Sequence, residues 1–177
     1  IEINTNAGGA MINVVSQRAQ AACCDEVQRL LPPPQAADRF EVDIVAMFQQ
    51  EWALSGRSGP LRTIAIVDES PQSQFLYPEF ELFRQLFVQH GLRAVVCDPS
   101  ELHLADGALR YQGEAIDIVY NRLTDFYLED PRHSALRLAY LAGQVLLTPH
   151  PQAHALYADK RNLMVLSDAN ALQAMGL

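Results

Sequence analysis

The residues best suited to chemistry are short polar side chains that follow the ends of predicted strands. One such segment covers residues 4–9, and others begin at Asp68, at Asp98 and at Asn121. In open α/β sheets, ligands bind beyond the carboxyl ends of the strands. Any single one of these residues is also suited to ordinary turn or cap chemistry. Taken together, they predict a cleft for a small molecule.

Residues 2–9 are the most informative of these segments, because a strand, two glycines and a helix follow one another. Gly8 and Gly9 would leave backbone N–H groups uncovered at a helix N-terminus, which is a site for a carboxylate or a phosphate. Glu2 could bind an ammonium group, and the Asn4 amide can donate and accept hydrogen bonds. A ligand with amino and carboxylate ends suits this arrangement. The absence of G-x-G-x-x-G and Walker sequences disfavours a nicotinamide or P-loop site.

Lys160 is the only lysine among 13 basic residues. A requirement for a compact, flexible ammonium group at this position would explain why a lysine occurs here. A compositional bias towards arginine with one remaining lysine would explain it equally well. Composition alone does not separate the two interpretations.

Composition limits the classes of protein that this chain can belong to. The 177 residues are 49% hydrophobic and 19% charged, which predicts a single folded domain over 1–177. A net charge of −8 disfavours duplex nucleic acid and anionic membranes as partners. Cys23, Cys24 and Cys97 give neither a disulfide framework nor metal-ligand spacing. These features and the lack of a signal pattern favour a cytoplasmic location.

Two further groups of residues give weaker signals. The adjacent acids Asp68 and Glu69 would point apart on an extended chain, so solvated charges are expected there rather than an acid/base pair. The histidines at 133, 150 and 154 lack a nearby carboxylate cluster. No metal site is therefore predicted.

The helices that must support this cleft are predicted from hydrophobic periodicity. Residues 11–31 show a helical apolar stripe that ends at three prolines, and its packing positions are Val15, Ala19, Cys23 and Leu30. Residues 36–54 predict a second helix with Phe40 and Phe48 on one face. Further helices are expected before Gly91, over residues 134–141 and from about Asp159.

Apolar, β-branched runs predict the strands at residues 61–67, 93–97, 118–121 and 145–148. The alternation at residues 1–4 predicts one more, already under way where the sequence begins, as expected of a segment of a longer protein. A small hairpin is expected at residues 108–116. Two βαβ units follow from this order. The expected fold is α/β, a Rossmann-like three-layer domain with a mainly parallel sheet of about five strands.

Four motifs in this order resemble the eukaryotic-type glutathione synthetase family. They are Glu2-Ile3-Asn4-Thr5 with Gly8-Gly9, the strand 64–67 with its long polar loop, Val119-Tyr120-Asn121-Arg122, and Ala158-Asp159-Lys160-Arg161. The members of that family are permuted ATP-grasp ligases. The similar stretch is their Rossmann-like substrate-binding, or pre-ATP-grasp, domain, and the resemblance covers nearly the whole chain.

The resemblance implies an ATP- and magnesium-dependent ligase that forms an amide through an acyl phosphate. It implies that Glu2 and Asn4 hold an amino-acid-like or peptide substrate and that Lys160 contacts ATP phosphates. The residues that hold magnesium and cover ATP are not recognisable here, so they are expected in an ATP-grasp region of the same parent chain. This segment alone is then expected to be inactive and to bind no cofactor.

The remaining expected substrate-binding residues are Asn6, Gly8, Gly9, Tyr77 and Arg122. Arg122 could clamp a carboxylate or phosphate, or form a structural ion pair with Asp125 or Glu129. The family's longer linker before Gly-Gly is missing, and so is its arginine after the second strand, so the choice between an amino-acid-like and a peptide substrate stays open. The alternative is a non-catalytic Rossmann-like module that binds an amino acid or nucleotide, or a scaffold with a vestigial cleft.

Overall fold

The computed structural model describes residues 4–21, 25–30 and 33–176. The helices are α1 (Ala10–Ala21), α2 (Asp25–Leu30), α3 (Pro34–Leu54), α4 (Tyr77–Gln89), α5 (Ser134–Leu141), α6 (Pro151–Tyr157), α7 (Asn162–Leu166) and α8 (Ala169–Ala174). The strands are β1 (Thr63–Val67), β2 (Arg93–Cys97), β3 (Leu102–Ala105), β4 (Ala108–Tyr111), β5 (Glu114–Ala115), β6 (Ile118–Asn121) and β7 (Leu146–Thr148). No helix in these ranges has both the length and the apolar character needed to cross a membrane.

The central sheet is parallel and has the strand order β2-β1-β6-β7. In its register Val67 lies opposite both Cys97 and Asn121, so β1, β2 and β6 end at the same level. The sheet therefore has four strands in the described chain rather than about five. The predicted first strand falls mainly on residues 1–3, outside the described ranges, and Asn4 is in no strand.

Both faces of this sheet are covered, because every residue of β1 is buried. Ile64 and Ile66 pack with apolar residues of α1, α3 and α4 on one face. Ala65 and Val67 pack with α5 and the second sheet on the other. The predicted three-layer α/β arrangement is confirmed to this extent.

The chain leaves β1 towards α4 on one face and leaves β6 towards α5 on the opposite face. Neighbouring parallel strands whose connections diverge in this way open a crevice between their carboxyl ends. In open α/β sheets, ligands bind at such a crevice, so a ligand site is expected between β1 and β6.

The second sheet is antiparallel, in the order β3-β4-β5. Its two turns place Asp106-Gly107 and Gln112-Gly113 at positive φ, the conformation that suits two-residue hairpins. The predicted hairpin is confirmed, and β3 adds a strand before it. Leu102 and Leu109 of this sheet pack against the central layer.

The predicted helix at residues 11–31 is wrong in extent and in its buried face. α1 ends at Ala21, α2 is a separate helix, and Cys23 lies outside the described residues. Val15, Ala19 and Leu30 are exposed, Leu30 by 86%, whereas Met11 and Val14 are buried. The stripe was ambiguous because α1 has two overlapping apolar faces. Only its first turns reach the core, and farther along Arg18 pairs with Asp38 and Glu41 of α3.

The other helices follow the predicted pattern with local differences. α3 buries Phe48 as expected, but Phe40 is largely exposed because the buried stripe runs through Ala37, Ile44 and Val45. The C-terminal part forms three short helices instead of one. The His150 side chain accepts a hydrogen bond at the start of α6, and that of Asp168 does the same at the start of α8.

Glu79 of α4 fixes the start of α1. This side chain is only 2% exposed, and its carboxylate accepts hydrogen bonds from the backbone N–H groups of Gly9 (2.7 Å) and Met11 (3.0 Å). The first N–H groups of a helix have no partner within the helix, and a carboxylate there also interacts favourably with the helix dipole. Glu79 therefore holds the segment before α1 against α4.

We expect Glu79→Gln to destabilise the fold by about 1 to 3 kcal/mol, because it removes a buried charge that accepts two N–H groups. Glu81→Gln is the matched control on the same helix. It removes a partly exposed pair with Arg84 and should cost less than about 1 kcal/mol. Urea unfolding of both variants measures the difference, and equal losses would contradict the role of Glu79.

Candidate functional site

A cleft of about 490 Å³ lies at the edge where β1 and β6 end. Three segments line it, at residues 4–8, 68–80 and 122–126. Its volume is within the range of small-molecule sites, and its position is the crevice expected for this topology. It is the candidate functional site.

Arg122 holds the segment before α1 over the end of β6. Its Nη1 donates hydrogen bonds to Asn6 Oδ1 (2.6 Å), to the Ala7 carbonyl (2.9 Å) and to the Tyr120 hydroxyl (3.3 Å). The guanidinium carbon lies 5.3 Å from the centre of the Tyr120 ring, at cation–π distance. Within the described residues neither Asp125 nor Glu129 pairs with it, so that proposed ion pair is wrong.

The backbone at Gly8 lies close to two side chains of the cleft. A Cβ on Gly8 would lie 2.6 Å from Leu76 Cδ1 and 3.2 Å from Arg122 Nη2. A side chain at this position would therefore displace the ends of the Leu76 and Arg122 side chains. Arg122 Nη2 makes none of the hydrogen bonds described for this guanidinium, and it lies on the side that faces Gly8.

The sequence predicts uncovered backbone amides at Gly8 and Gly9, but the Gly9 amide is covered. Its N–H donates to the Glu79 carboxylate, so the protein fills this anion position with its own side chain. The sequence contained a signal for Glu79, since it shares a helical face with Phe83 and Leu86, which are buried. An acidic residue on an apolar face predicts a buried partner.

Asp68 is the cleft residue that sequence reasoning assigned wrongly. It is only 9% exposed, and its Oδ1 accepts a hydrogen bond from the Glu69 amide (2.9 Å). Burial raises the pKa of Asp68 to about 6, while the Glu69 amide and the charge of Arg122 oppose this shift. The expected solvated charge is instead a buried carboxyl, and its pKa lies well above that of an exposed aspartate. Its position after a fully buried strand was the available signal.

A buried histidine joins the loops that follow β1 and β6. His133 is fully buried, its Nδ1 lies 2.7 Å from Asp125 Oδ2, and its Nε2 lies 3.2 Å from Glu69 Oε1 without hydrogen-bond geometry. Glu69 also pairs with Arg132 at 3.0 Å. These contacts fix Glu69, and with it the segment that carries Asp68.

The structure brings some of the predicted substrate-binding residues together and separates others. Asn4, Asn6, Gly8 and Arg122 line the cleft. Asn4 Oδ1 accepts a hydrogen bond from the Asn6 amide, and Asn6 Nδ2 donates to the Leu123 carbonyl. That these residues bind substrate stays a prediction.

The other predicted residues lie elsewhere. Glu2 is outside the described residues. Gly9 does not line the cleft, and Tyr77 packs against the α1, α3 and α4 core instead. Tyr77 is the first residue of α4, and the apolar face of this helix packs against the core. Gln74 and Phe75 line the cleft in its place.

Lys160 is exposed and lies in the turn between α6 and α7, outside the cleft lining. The same C-terminal segment reaches the cleft through His154. Its Nδ1 is 2.9 Å from Thr5 Oγ1, and its ring stacks on Phe126 with centroids 3.8 Å apart.

The three histidines considered as metal ligands have separate environments. His133 lies between carboxylates, His150 accepts the Ala153 amide, and His154 contacts Thr5. In the part of the chain that the structure describes, no group of three or more His, Cys, Asp or Glu side chains could hold a metal ion.

Cys97 is a buried residue of the core. Burial raises the pKa of its thiol to about 12, so it is unsuited to act as a nucleophile. Cys23 and Cys24 lie outside the described residues.

Compared with known proteins, the sequence matches no protein-family model and no curated protein.

We expect Asp68→Asn to stabilise the fold above pH 6. Because the folded-state pKa of Asp68 is raised, the folded protein binds this proton more tightly than the unfolded chain does. Ionisation of Asp68 therefore reduces wild-type stability as the pH rises from about 4 to 6. Asparagine removes this cost, which is about 1 to 3 kcal/mol at pH 7.5.

Asp98→Asn is the control with the opposite sign. Burial favours the neutral form of Asp98, but hydrogen bonds from Ser100 and Ser70 outweigh it and lower the pKa. This variant should lose stability at pH 7.5. Unfolding curves at pH 4 and 7.5 measure both effects, and an Asp68→Asn protein less stable than wild type at pH 7.5 would contradict the assignment.

Proposed function

We propose that this chain is the substrate-binding domain of an ATP-dependent carboxylate–amine ligase of the glutathione synthetase-like type. The observation that carries the proposal is the cleft at the ends of β1 and β6, where the connections that follow these strands diverge. One acidic and one basic side chain, Asp68 and Arg122, line it, and both are largely buried. This is the part of the fold that the resemblance associates with the substrate. The order of the four motifs supports the ligase assignment.

In this proposal the chain binds and orients an amino-acid-like substrate. Asp68 attracts its ammonium group, Arg122 Nη2 faces its carboxylate, and the amide of Asn4 supplies further hydrogen bonds. The firm attachment of Arg122 to residues 6 and 7 pre-organises the site before binding.

ATP and Mg²⁺ do not fit the described residues by themselves. These residues contain no metal-ligand cluster, and Glu79 already occupies the Gly9 amide that would face a phosphate. In the proposal both are held by an ATP-grasp region of the same polypeptide, and Lys160 reaches the phosphates from its exposed turn.

Because the Glu79 carboxylate already binds the N-terminal N–H groups of α1, a second candidate function is also favoured. It is a non-catalytic module that binds an amino acid. A cleft with Asp68 and Arg122, and with the Gly9 amide already taken by Glu79, is sufficient for such binding. Nucleic acid and membranes are not proposed as partners, given the net charge of −8.

We expect Asn4→Ala and Lys160→Ala to have different kinetic effects in the complete polypeptide. Asn4→Ala should raise the KM for the acid or amine substrate more than the KM for ATP, and Lys160→Ala should do the reverse. Lys160→Arg should also be impaired, because a planar guanidinium replaces a compact charge poorly at a crowded phosphate. A loss of about 1 to 3 kcal/mol in transition-state stabilisation is the expected scale.

The measurement is ADP release at limiting and saturating ATP, with candidate amino acids and amines. Wild-type kinetics in the Lys160 variants would contradict the ATP role of this residue. Amino-acid binding without any ADP release would favour the binding module over the ligase.

A further inference from the structure

Two phenylalanines, Phe75 and Phe126, line the cleft. Phe75 lies in the loop after β1 and is 93% exposed, and Phe126 lies half-buried in the loop after β6. An apolar ring this exposed does not gain the favourable free energy that burial of its apolar surface would give. At the rim of a ligand cleft, a bound apolar group can recover this free energy.

Phe126 is held in position by contacts outside the cleft. The His154 ring is stacked on it with an interplanar angle of 7° and a centroid distance of 3.8 Å, and Tyr127 contacts His154 edge-on. His154 is itself fixed by Thr5 Oγ1 at 2.9 Å. A ring fixed in this way is pre-organised to receive a second ring at little entropic cost.

The polar residues of the same cleft carry opposite charges. The Asp68 carboxyl uses one oxygen for the Glu69 amide, and Arg122 uses Nη1 for its described hydrogen bonds while Nη2 faces Gly8. An ammonium group and a carboxylate on one ligand would complement these two charges. Phe75 and Phe126 favour an aromatic ring on that ligand, because aromatic rings pack well against each other.

We propose that the cleft selects an aromatic amino acid, whose ring packs against Phe75 and Phe126 and whose ammonium group binds Asp68. This inference rests on the proposed amino-acid site and adds the side-chain specificity. Phe75 and Phe126 are the residues that determine it. An aliphatic amino acid would satisfy the charges and leave Phe75 without a ring to pack against.

The test is isothermal titration calorimetry of the full chain with four probes at pH 7.5. L-Phenylalanine carries the ring and both charges, L-alanine lacks the ring, 3-phenylpropanoate lacks the ammonium group and phenethylamine lacks the carboxylate. We expect L-phenylalanine to bind at least about tenfold more tightly than each of the other three. Its affinity should fall below pH 6, where Asp68 takes up a proton.

Variants assign these effects to residues. Phe75→Ala should weaken L-phenylalanine binding about threefold to tenfold and leave L-alanine binding unchanged. Asp68→Asn should weaken L-phenylalanine binding at least about tenfold and abolish its pH dependence. Phe40→Ala, at an exposed ring of α3 that does not line the cleft, is the matched control and should bind like wild type.

The outcomes separate this inference from the proposed function. If L-alanine binds as tightly as L-phenylalanine, or if Phe75→Ala has no effect, the aromatic specificity is wrong while the amino-acid site stands. If no amino acid binds at millimolar concentration to a chain that unfolds cooperatively, both are wrong.

Discussion

The cleft depends on the hydrogen bonds that the buried Glu79 carboxylate accepts. This carboxylate accepts the N–H groups of Gly9 and Met11, and Arg122 binds the same segment two residues earlier through Asn6 and Ala7. One negative and one positive side chain thus hold a short stretch of backbone across the edge of the parallel sheet. Without that stretch, the ends of β1 and β6 would have no wall on the side of Asn4. The close packing at Gly8 follows from the same constraint.

The electrostatics of the cleft follow from how deeply each charge is buried. Asp68 keeps a raised pKa because burial outweighs the hydrogen bond from Glu69 and the attraction of Arg122. Farther along the same edge, His133 lies between Asp125 and Glu69 and links the two loops that bear the cleft residues. The partly exposed Arg132–Glu69 ion pair is a second contact between these loops, next to Asp68.

Regular, fully buried elements were predictable from the sequence, and residues whose role depends on tertiary contacts were not. β2, β6 and α5 have the predicted limits because their apolar runs are short and bounded by glycine, proline or polar residues. The buried face of α1 was not predictable, since its periodicity fits two stripes and only the packing of α3 and α4 selects one. Four predicted substrate-binding residues, Asn4, Asn6, Gly8 and Arg122, line one cleft. Arg122 follows β6 at the common edge of the parallel strands, and its hydrogen bonds to residues 6 and 7 hold the segment of the other three there. Local pattern signals the burial of Glu79 and Asp68, but not the groups around them, such as the Gly9 amide and Arg122, which are distant in the chain.

The most direct test of the central claim, that the cleft between β1 and β6 is the ligand site, is a ¹⁵N–¹H correlation NMR titration with L-phenylalanine. We expect the amide signals of Gly8, Glu69 and Leu123 to move together along one saturable binding curve, because these residues lie on or next to the three lining segments. Signals from the second sheet, such as Leu104 and Leu109, should stay in place. Saturable shifts confined to the apolar groove formed by Leu156, Val165 and Met175, with none at Gly8 or Glu69, would contradict the account.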